Sequence, residues 1–370
     1  MVVANDATFT ESDFRALARI GQGSKLEKLA STGRFGLGFS STYHLTDTPT
    51  FVSGDYMVIF DPHCAFAPGA TTNQPGLRIR FTRSALPTSF RDQFAPFQHF
   101  GCDFSEPYNG TLFRFPLRTA ALARRSEISK RSYSADDAKA NLSQFSTQLS
   151  QHLLFLRSVR TVEIYHSAEG AAGPPALLHR ATAAVTDTHA QHDQSLLSFF
   201  DKNAYPAGAA PPRDLFYQKL RSVPDHQLPL LTCRVNVEIN TYPGAAMALA
   251  GAVGAATVAR VGEGVAQGER AERVDFLVVS GLQGGAAKRM ACDESTRHLK
   301  LVPFGAVAAC VGRTGASALS MYPTLPGQAF CFLPLPVHTQ LPVHVNAFWE
   351  LSSNRRDIWR GDDTTGNAKV

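Results

Sequence analysis

Thr32-Gly33-Arg34-Phe35-Gly36-Leu37-Gly38-Phe39 sets three glycines within seven residues of Thr32, with two phenylalanines interleaved. Glycine lets backbone pass close to a ligand and reaches positive φ without a steric penalty. The phenylalanines would anchor such a loop in a core. Residues 40–45 carry no helix breaker and are predicted to continue as a helix. A glycine loop feeding a helix N-terminus presents unpaired N–H groups to an anion. A tight structural turn uses the same residues. The order here is G-x-x-G-x-G, not the Rossmann G-x-G-x-x-G, and G-x-x-x-x-G-K-[ST] occurs neither here nor at Gly21-Gln22-Gly23-Ser24-Lys25. The chemistry of the stretch therefore depends on its neighbours.

Other reactive residue types are more dispersed. Asp187, His189, His192 and Asp193 crowd one polar stretch, read as a solvated loop in preference to a metal site. Six cysteines without a CxxC pair argue against zinc and for a reducing compartment. His338 and His344 flank a proline-containing turn and are read as structural, as is His63 after Asp61-Pro62. No Gly-x-Ser-x-Gly elbow is present, and no catalytic residue is assigned. Asn109-Gly110-Thr111 and Asn141-Leu142-Ser143 match the glycosylation pattern and are read as fortuitous.

Composition bounds the class. With 370 residues, 44% hydrophobic and 18% charged, the chain is globular and long enough for two or three cores. A net charge of +5 from scattered basic residues gives no nucleic-acid footprint. The nearest membrane candidate, residues 244–259, consists of small residues and is too short. No nucleic-acid or membrane partner is expected, and the expected location is cytoplasmic.

Several elements are legible. Residues 2–4 read as a strand ending in Asn5-Asp6. Thr10 and Asp13 form a capping-box pattern, and Phe9 and Phe14 a hydrophobic staple, predicting a helix to about Ile20. Residues 21–31 are largely polar. Strands are predicted at 51–55, 56–60 and 111–117, and a helix from Ser134 whose stripe Ala138, Leu142, Phe145, Leu149, Leu153 and Leu156 faces a core. A strand at 159–165 precedes an Ala/Gly/Pro connector at 167–176. A first domain over residues 1–166 and a second over 167–370 follow from that connector. Further strands are expected at 230–239, 273–280, 299–302, 329–333 and 343–348, with an exposed Ala/Gly insertion near 244–272.

Together these motifs resemble a known family. Phe9-Thr10-Glu11, residues 32–39, Tyr43-His44-Leu45-Thr46-Asp47, Ser53-Gly54-Asp55 and Phe60-Asp61-Pro62-His63 are similar to the large repeated regions of sacsin. So are Leu301-Val302-Pro303-Phe304-Gly305, Phe330-Cys331-Phe332-Leu333-Pro334-Leu335-Pro336, Leu341-Pro342-Val343-His344-Val345-Asn346 and residues 351–359. The likeness is strong over 1–165 and 300–370. It implies an α+β chain: a GHKL (Bergerat) ATPase domain like that of the ninety-kilodalton heat-shock chaperones, a mixed sheet with helices on it, then a second α+β domain. Asn5 and Asp6 would lie where adenine is read, with Thr111 supporting that contact. Residues 21–31, with Lys25, would be the lid. Gly33, Arg34, Phe35, Gly36, Gly38 and Phe39 would close over the phosphates. Arg355 or Arg356 would meet the transferring phosphoryl group, a surface salt-bridge role being the alternative.

The resemblance also implies what is missing. The family's helix resembling Glu-Leu-Leu-Gln-Asn-Ala-Asp-Asp-Ala, with its glutamate base and magnesium-holding asparagine, occurs nowhere in these residues. The chain reads as an N-terminally truncated fragment that begins after that helix. Asn5-Asp6-Ala7 also lacks the Asp-x-Gly-x-Gly glycines. ATP is implied as a ligand held weakly or not at all, and magnesium only with the missing motif. Two readings stand: an ATP-hydrolysing chaperone, or a module that engages client proteins or co-chaperones without turnover. A DNA-associated GHKL protein is disfavoured by the mild charge.

Overall fold

A computed structural model of the chain describes residues 1–17, 38–168, 170, 173–191, 196–200, 212–250, 269–315, 326–352 and 357–358. The first sheet comprises Val2–Asn5 (β1), Thr50–Gly54 (β2), Tyr56–Phe60 (β3), Gly76–Arg80 (β4) and Tyr108–Arg114 (β5). Its order is β1-β5-β2-β3-β4, antiparallel throughout. Side chains alternate between faces along each strand. On one face Val52, Met57 and Leu112 are buried with Phe81, Phe94, Phe97 and Phe104.

Helix Glu11–Leu17 (α1) lies on the opposite face. Its capping box forms: Thr10 N–H donates to Asp13 Oδ2 at 3.0 Å, and Asp13 N–H to Thr10 Oγ1 at 3.3 Å. The staple rings Phe9 and Phe14 are 5.4 Å apart and stand 4.8 and 6.1 Å from Phe51. Arg78 Cζ, 4.3 Å from the Phe14 ring and 3.8 Å from Tyr56, is held by Glu11 at 2.6 Å. The predicted end of this helix near Ile20 lies outside the described residues.

The remaining helices are Leu86–Ser89 (α2), Arg91–Phe94 (α3), Ala120–Arg125 (α4), Ala135–Thr147 (α5), Leu149–Leu154 (α6), Leu197–Phe200 (α7), Pro212–Ser222 (α8), Ala245–Leu249 (α9) and Gly285–Cys292 (α10). The helix predicted from Ser134 starts with a complete capping box to Asp137 and breaks at Gln148 into α5 and α6. Residues 40–44 form a 3₁₀ turn rather than an α-helix. Ser41 and Thr42 hydroxyls bond back to the carbonyls of Gly38 and Phe39, favouring the tighter winding.

The second sheet has eight strands: Thr161–His166 (β6), Ala176–Gln191 (β7), Leu230–Thr241 (β8), Arg270–Leu282 (β9), Phe304–Thr314 (β10), Gln328–Cys331 (β11), Leu333–His338 (β12) and His344–Ala347 (β13). Its order is β12-β11-β13-β10-β9-β8-β7-β6. The β11–β13 pairing is parallel, which makes this sheet mixed. Leu149 and Leu153 from α6, Phe199 from α7, and Phe216 and Leu220 from α8 join Val235, Val237, Phe276 and Ala308 in its core. The architecture is therefore α+β with a mixed sheet and helices, consistent with a GHKL-like fold.

Some expectations need correction. The strand expected at 299–302 begins instead at Phe304; residues 297–299 form a 3₁₀ turn, with Lys300 at φ +52°. Strand β12 escapes sequence reading because Pro334 and Pro336 argue against a strand; at the sheet edge neither needs to donate inward. The polar stretch at 187–189 is part of β7, interrupted by a bulge between Thr186 and His189, rather than a loop. His192 and Asp193 lie outside the described residues. The start of the 244–272 insertion is packed: Ala245 and Leu249 are buried beside Ile164 and Leu178. Strand β6 is the edge of the second sheet, and α6 packs on β7 and β8. Strand β6 thus belongs to the second sheet although it precedes the 167–176 connector. No described helix is long and apolar enough to cross a membrane.

Burial gives the second sheet a pH dependence. His344 is 2% exposed between the rings of Phe276 and Phe330, and its Nδ1 accepts from Gln328 N–H at 3.2 Å. His152 and His179 are also partly or largely buried, and desolvation lowers the pKa of all three. Each stays neutral in the fold at a pH where the unfolded chain takes up a proton. Stability is then complete above the free histidine pKa of about 6.5 and falls as pH drops below it, by about 1.4 kcal/mol per unit of displacement. Urea titrations followed by tryptophan fluorescence should show the midpoint falling from pH 7.5 to 5, with a shallower fall in His344→Gln.

Candidate functional site

The segment leaving the glycine stretch is fixed by one arginine. A 3₁₀ turn leaves its last carbonyls without intrahelical partners. Arg118, with a side-chain exposure of 0%, supplies them. Its Nη2 donates to Tyr43 O at 2.5 Å and Thr46 O at 3.3 Å, and Nη1 to His44 O and Arg131 O at 3.3 Å. Nε and Nη2 meet Asp47 Oδ1 at 2.7 and 2.6 Å. Ser126 Oγ adds a bond to the same oxygen at 3.1 Å. The Arg118 backbone joins the two segments as well, N–H to Leu45 O and carbonyl to Tyr133 N–H. The result seats Phe39 against Phe60 at 5.0 Å. Ser40 Oγ, the next residue's hydroxyl, is buried without a hydrogen-bond partner among the described residues.

At the other end of the sheet the adenine-reading candidates meet. Asn5 on β1 is in register with Thr111 on β5, and Ser53 on β2 pairs with Thr111 from the other side. Thr111 is fully buried; its hydroxyl donates to Ala7 O at 2.7 Å and lies 2.9 Å from Ser53 Oγ. Ser53 Oγ also donates to Gly110 O and accepts from Phe9 N–H, both at 2.9 Å. Asn5 Oδ1 accepts from Ala7 N–H at 3.1 Å, so its side chain shapes its own turn. Asp6 is exposed. Gly110 has φ +148°, and a Cβ there would stand 2.7 Å from Asn5 O. Glycine is required for β1 to approach β5 at this point.

The structure thus brings Asn5 and Thr111 together and puts Asp6 next to them in sequence. It does not bring Gly38 and Phe39 to them. Phe39 packs on Phe60, beyond Ile59, which pairs with Thr50, whereas Ser53 pairs with Tyr56 at the opposite end of β2. Three residues of strand separate those ends, about 10 Å. Alternation places both ends on one face, and the Phe9 and Phe14 rings occupy the middle of it against Phe51. Lys25, Gly33, Arg34, Phe35, Gly36, Arg355 and Arg356 lie outside the described residues. Among the described residues no three His, Cys, Asp or Glu side chains converge as a metal site would require.

Sequence reasoning missed Ser53 and Arg118 as positioning residues. Ser53 and Asp47 sit inside the resemblance motifs, which is the signal that points to them. Leu117-Arg118-Thr119 carries no pattern of its own.

The class is that of an α+β chain with a mixed sheet and helices, consistent with a GHKL-like fold. A family model described as Sacsin domain matches residues 1–179. Human sacsin is 27% identical over 390 aligned residues, which cover 97% of this chain and 8% of sacsin. The chain is similar to sacsin along almost its whole length, and it spans 8% of the length of that relative.

Removing one partner of a buried pair leaves the other charge without compensation and costs about 3–5 kcal/mol. Arg118→Gln is expected to lose about that much in urea unfolding followed by circular dichroism. Arg118→Lys should recover only part, because one ammonium cannot span Asp47 and four carbonyls. Gly110→Ala should loosen β1, seen as faster amide exchange at Val3 and Asn5, with the second sheet unchanged.

Proposed function

We propose that the chain is a sacsin-like module of protein quality control, engaging client proteins or co-chaperones through a nucleotide-binding fold with an incomplete ATP site. The observation that carries this is the sacsin match, which runs through the residues that build the Asn5–Thr111 end of the first sheet. In this reading Asp6 offers the carboxylate to an adenine amino group and Thr111 supports it through the turn at Ala7. Gly33, Arg34, Phe35, Gly36, Gly38 and Phe39 supply backbone N–H groups to phosphates, with Lys25 from the lid and Arg355 or Arg356 from the second unit. When bound, ATP would supply a phosphoanhydride bond and the negative charge that such donors attract.

The described residues fit that ligand in part. The Ser40 hydroxyl beside Phe39, unpartnered among the described residues, is a polar atom that a ligand at this end of the segment would satisfy. Against this, the hydroxyl of Thr111 is already committed to Ala7, and aromatic rings fill the face between the two ends. Neither the glutamate base nor the magnesium-holding asparagine of the family pattern is present in these 370 residues. The reading is of a module that does not turn ATP over by itself.

Calorimetry of this polypeptide with ATP, with and without magnesium, tests it. The expected result is no magnesium-dependent binding and no phosphate release above buffer. Tight magnesium-dependent binding, or turnover abolished by Gly36→Ala, would reject the incomplete-site reading and favour an active ATPase.

A further inference from the structure

Three stretches far apart in sequence, residues 301–305, 330–336 and 345–348, converge at one end of the second sheet. Phe304 and Phe332 stack at 6.3 Å, and Phe348 meets them at 5.8 and 4.9 Å. Phe200 at the end of α7 joins at 5.8 Å from Phe304. Phe332 takes a φ of +63°, a conformation that side chains rarely adopt, and its N–H is held by Asn346 Oδ1 at 2.8 Å.

Into this aromatic cluster projects one cation. Arg157, between α6 and β6, has its guanidinium carbon 4.6 Å from the Phe200 ring, 5.1 Å from Phe332 and 5.5 Å from Phe304. Arg118, which is fully buried, has an aspartate and four carbonyls. Arg157 has no such set: among the described residues its guanidinium makes no hydrogen bond and no ion pair. It is half-buried with rings against it, and rings attract a cation only weakly compared with the water they displace. Burial lowers its pKa to about 10, so it is still charged at neutral pH. The guanidinium is a fixed fork of five donors shaped for carboxylate and phosphate oxygens. Here the fork is held by aromatic faces with its donors unspent.

We infer that Arg157 is the cationic pole of a binding site for a small oxyanion, a carboxylate or a phosphate, walled by Phe200, Phe304, Phe332 and Phe348. The apolar wall strengthens the attraction by excluding water, and it suits a ligand that carries an apolar body behind the anionic group. The site belongs to the second sheet and does not depend on a nucleotide at the first.

The test uses the whole chain at pH 7 in chloride, acetate or inorganic phosphate at matched ionic strength. Wild type is expected to gain melting temperature, saturably, with at least one of acetate and phosphate relative to chloride. The Arg157 Nε–H resonance should shift over the same concentrations. Response to acetate alone assigns a carboxylate ligand, and response to phosphate alone a phosphate. Arg157→Gln should lose the anion effect and melt in chloride at or above the wild-type temperature, because an unpaired desolvated charge has gone. Arg157→Lys should keep a weaker anion effect. The inference is overturned if neither anion moves wild type beyond chloride. It is equally overturned if Arg157→Gln keeps the effect, or melts far lower in chloride as a packing residue would. The wild-type titration decides the matter even if a variant does not fold.

Discussion

The buried pair of Arg118 and Asp47 is the constraint on which the first unit depends. Arg118 has no solvent contact, and its donors go to a carboxylate and the carbonyls of Tyr43, His44, Thr46 and Arg131. One side chain thereby closes the end of a 3₁₀ turn, orders residues 118–133 and sets Phe39 on the sheet. The pair is less a source of stability than a device for register. Hydrophobic residues of similar volume could fill the same space, but they could not read out four backbone oxygens.

The same face of the sheet shows how position follows from alternation. Phe51, Ser53, Thr111 and Phe113 share it because each is two residues from the next along its strand. The aromatic half is sealed by α1 through Phe9 and Phe14, and the hydroxyl half is tied to the turn at Ala7. Those two halves leave a polar corner at Asn5, Asp6 and Thr111 and an aromatic floor beside it.

Much of this was legible in residue order. The capping box at Thr10, the helix start at Ser134, the staple of Phe9 and Phe14, and the hairpin of β2 and β3 are local, and local chemistry specifies them. The helix after Ser134 was legible in face but not in its break at Gln148, since the apolar stripe continues through the break. What could not be read depends on partners distant in the chain. Arg118 is unremarkable until Asp47 is beside it, 71 positions away. Arg157 acquires its interest only when Phe200, Phe304 and Phe332 close around it. Strand β12 was hidden because proline is counted against strands, and only its place at the edge removes the objection. The resemblance gave Asn5, Asp6 and Thr111 a shared role; the glycine Gly110 that lets the strands of Asn5 and Thr111 pair has a reason visible only in three dimensions.

The order of strands has a bearing on how the chain is made. Strands β6 to β10 are neighbours in the sheet in the order in which they are synthesised. Strands β11 and β12 are not: they reach the rest of the sheet only through β13, which is the last to emerge and lies between β10 and β11. Until residues 344–347 arrive, β10 has a bare edge and the β11–β12 hairpin has nothing to dock on. The aromatic cluster at Phe304, Phe332 and Phe348 is assembled by that same late step. A chain ending before His344 would therefore lose not four residues of sheet but three strands, and would expose on β10 an unguarded edge open to pairing with another molecule.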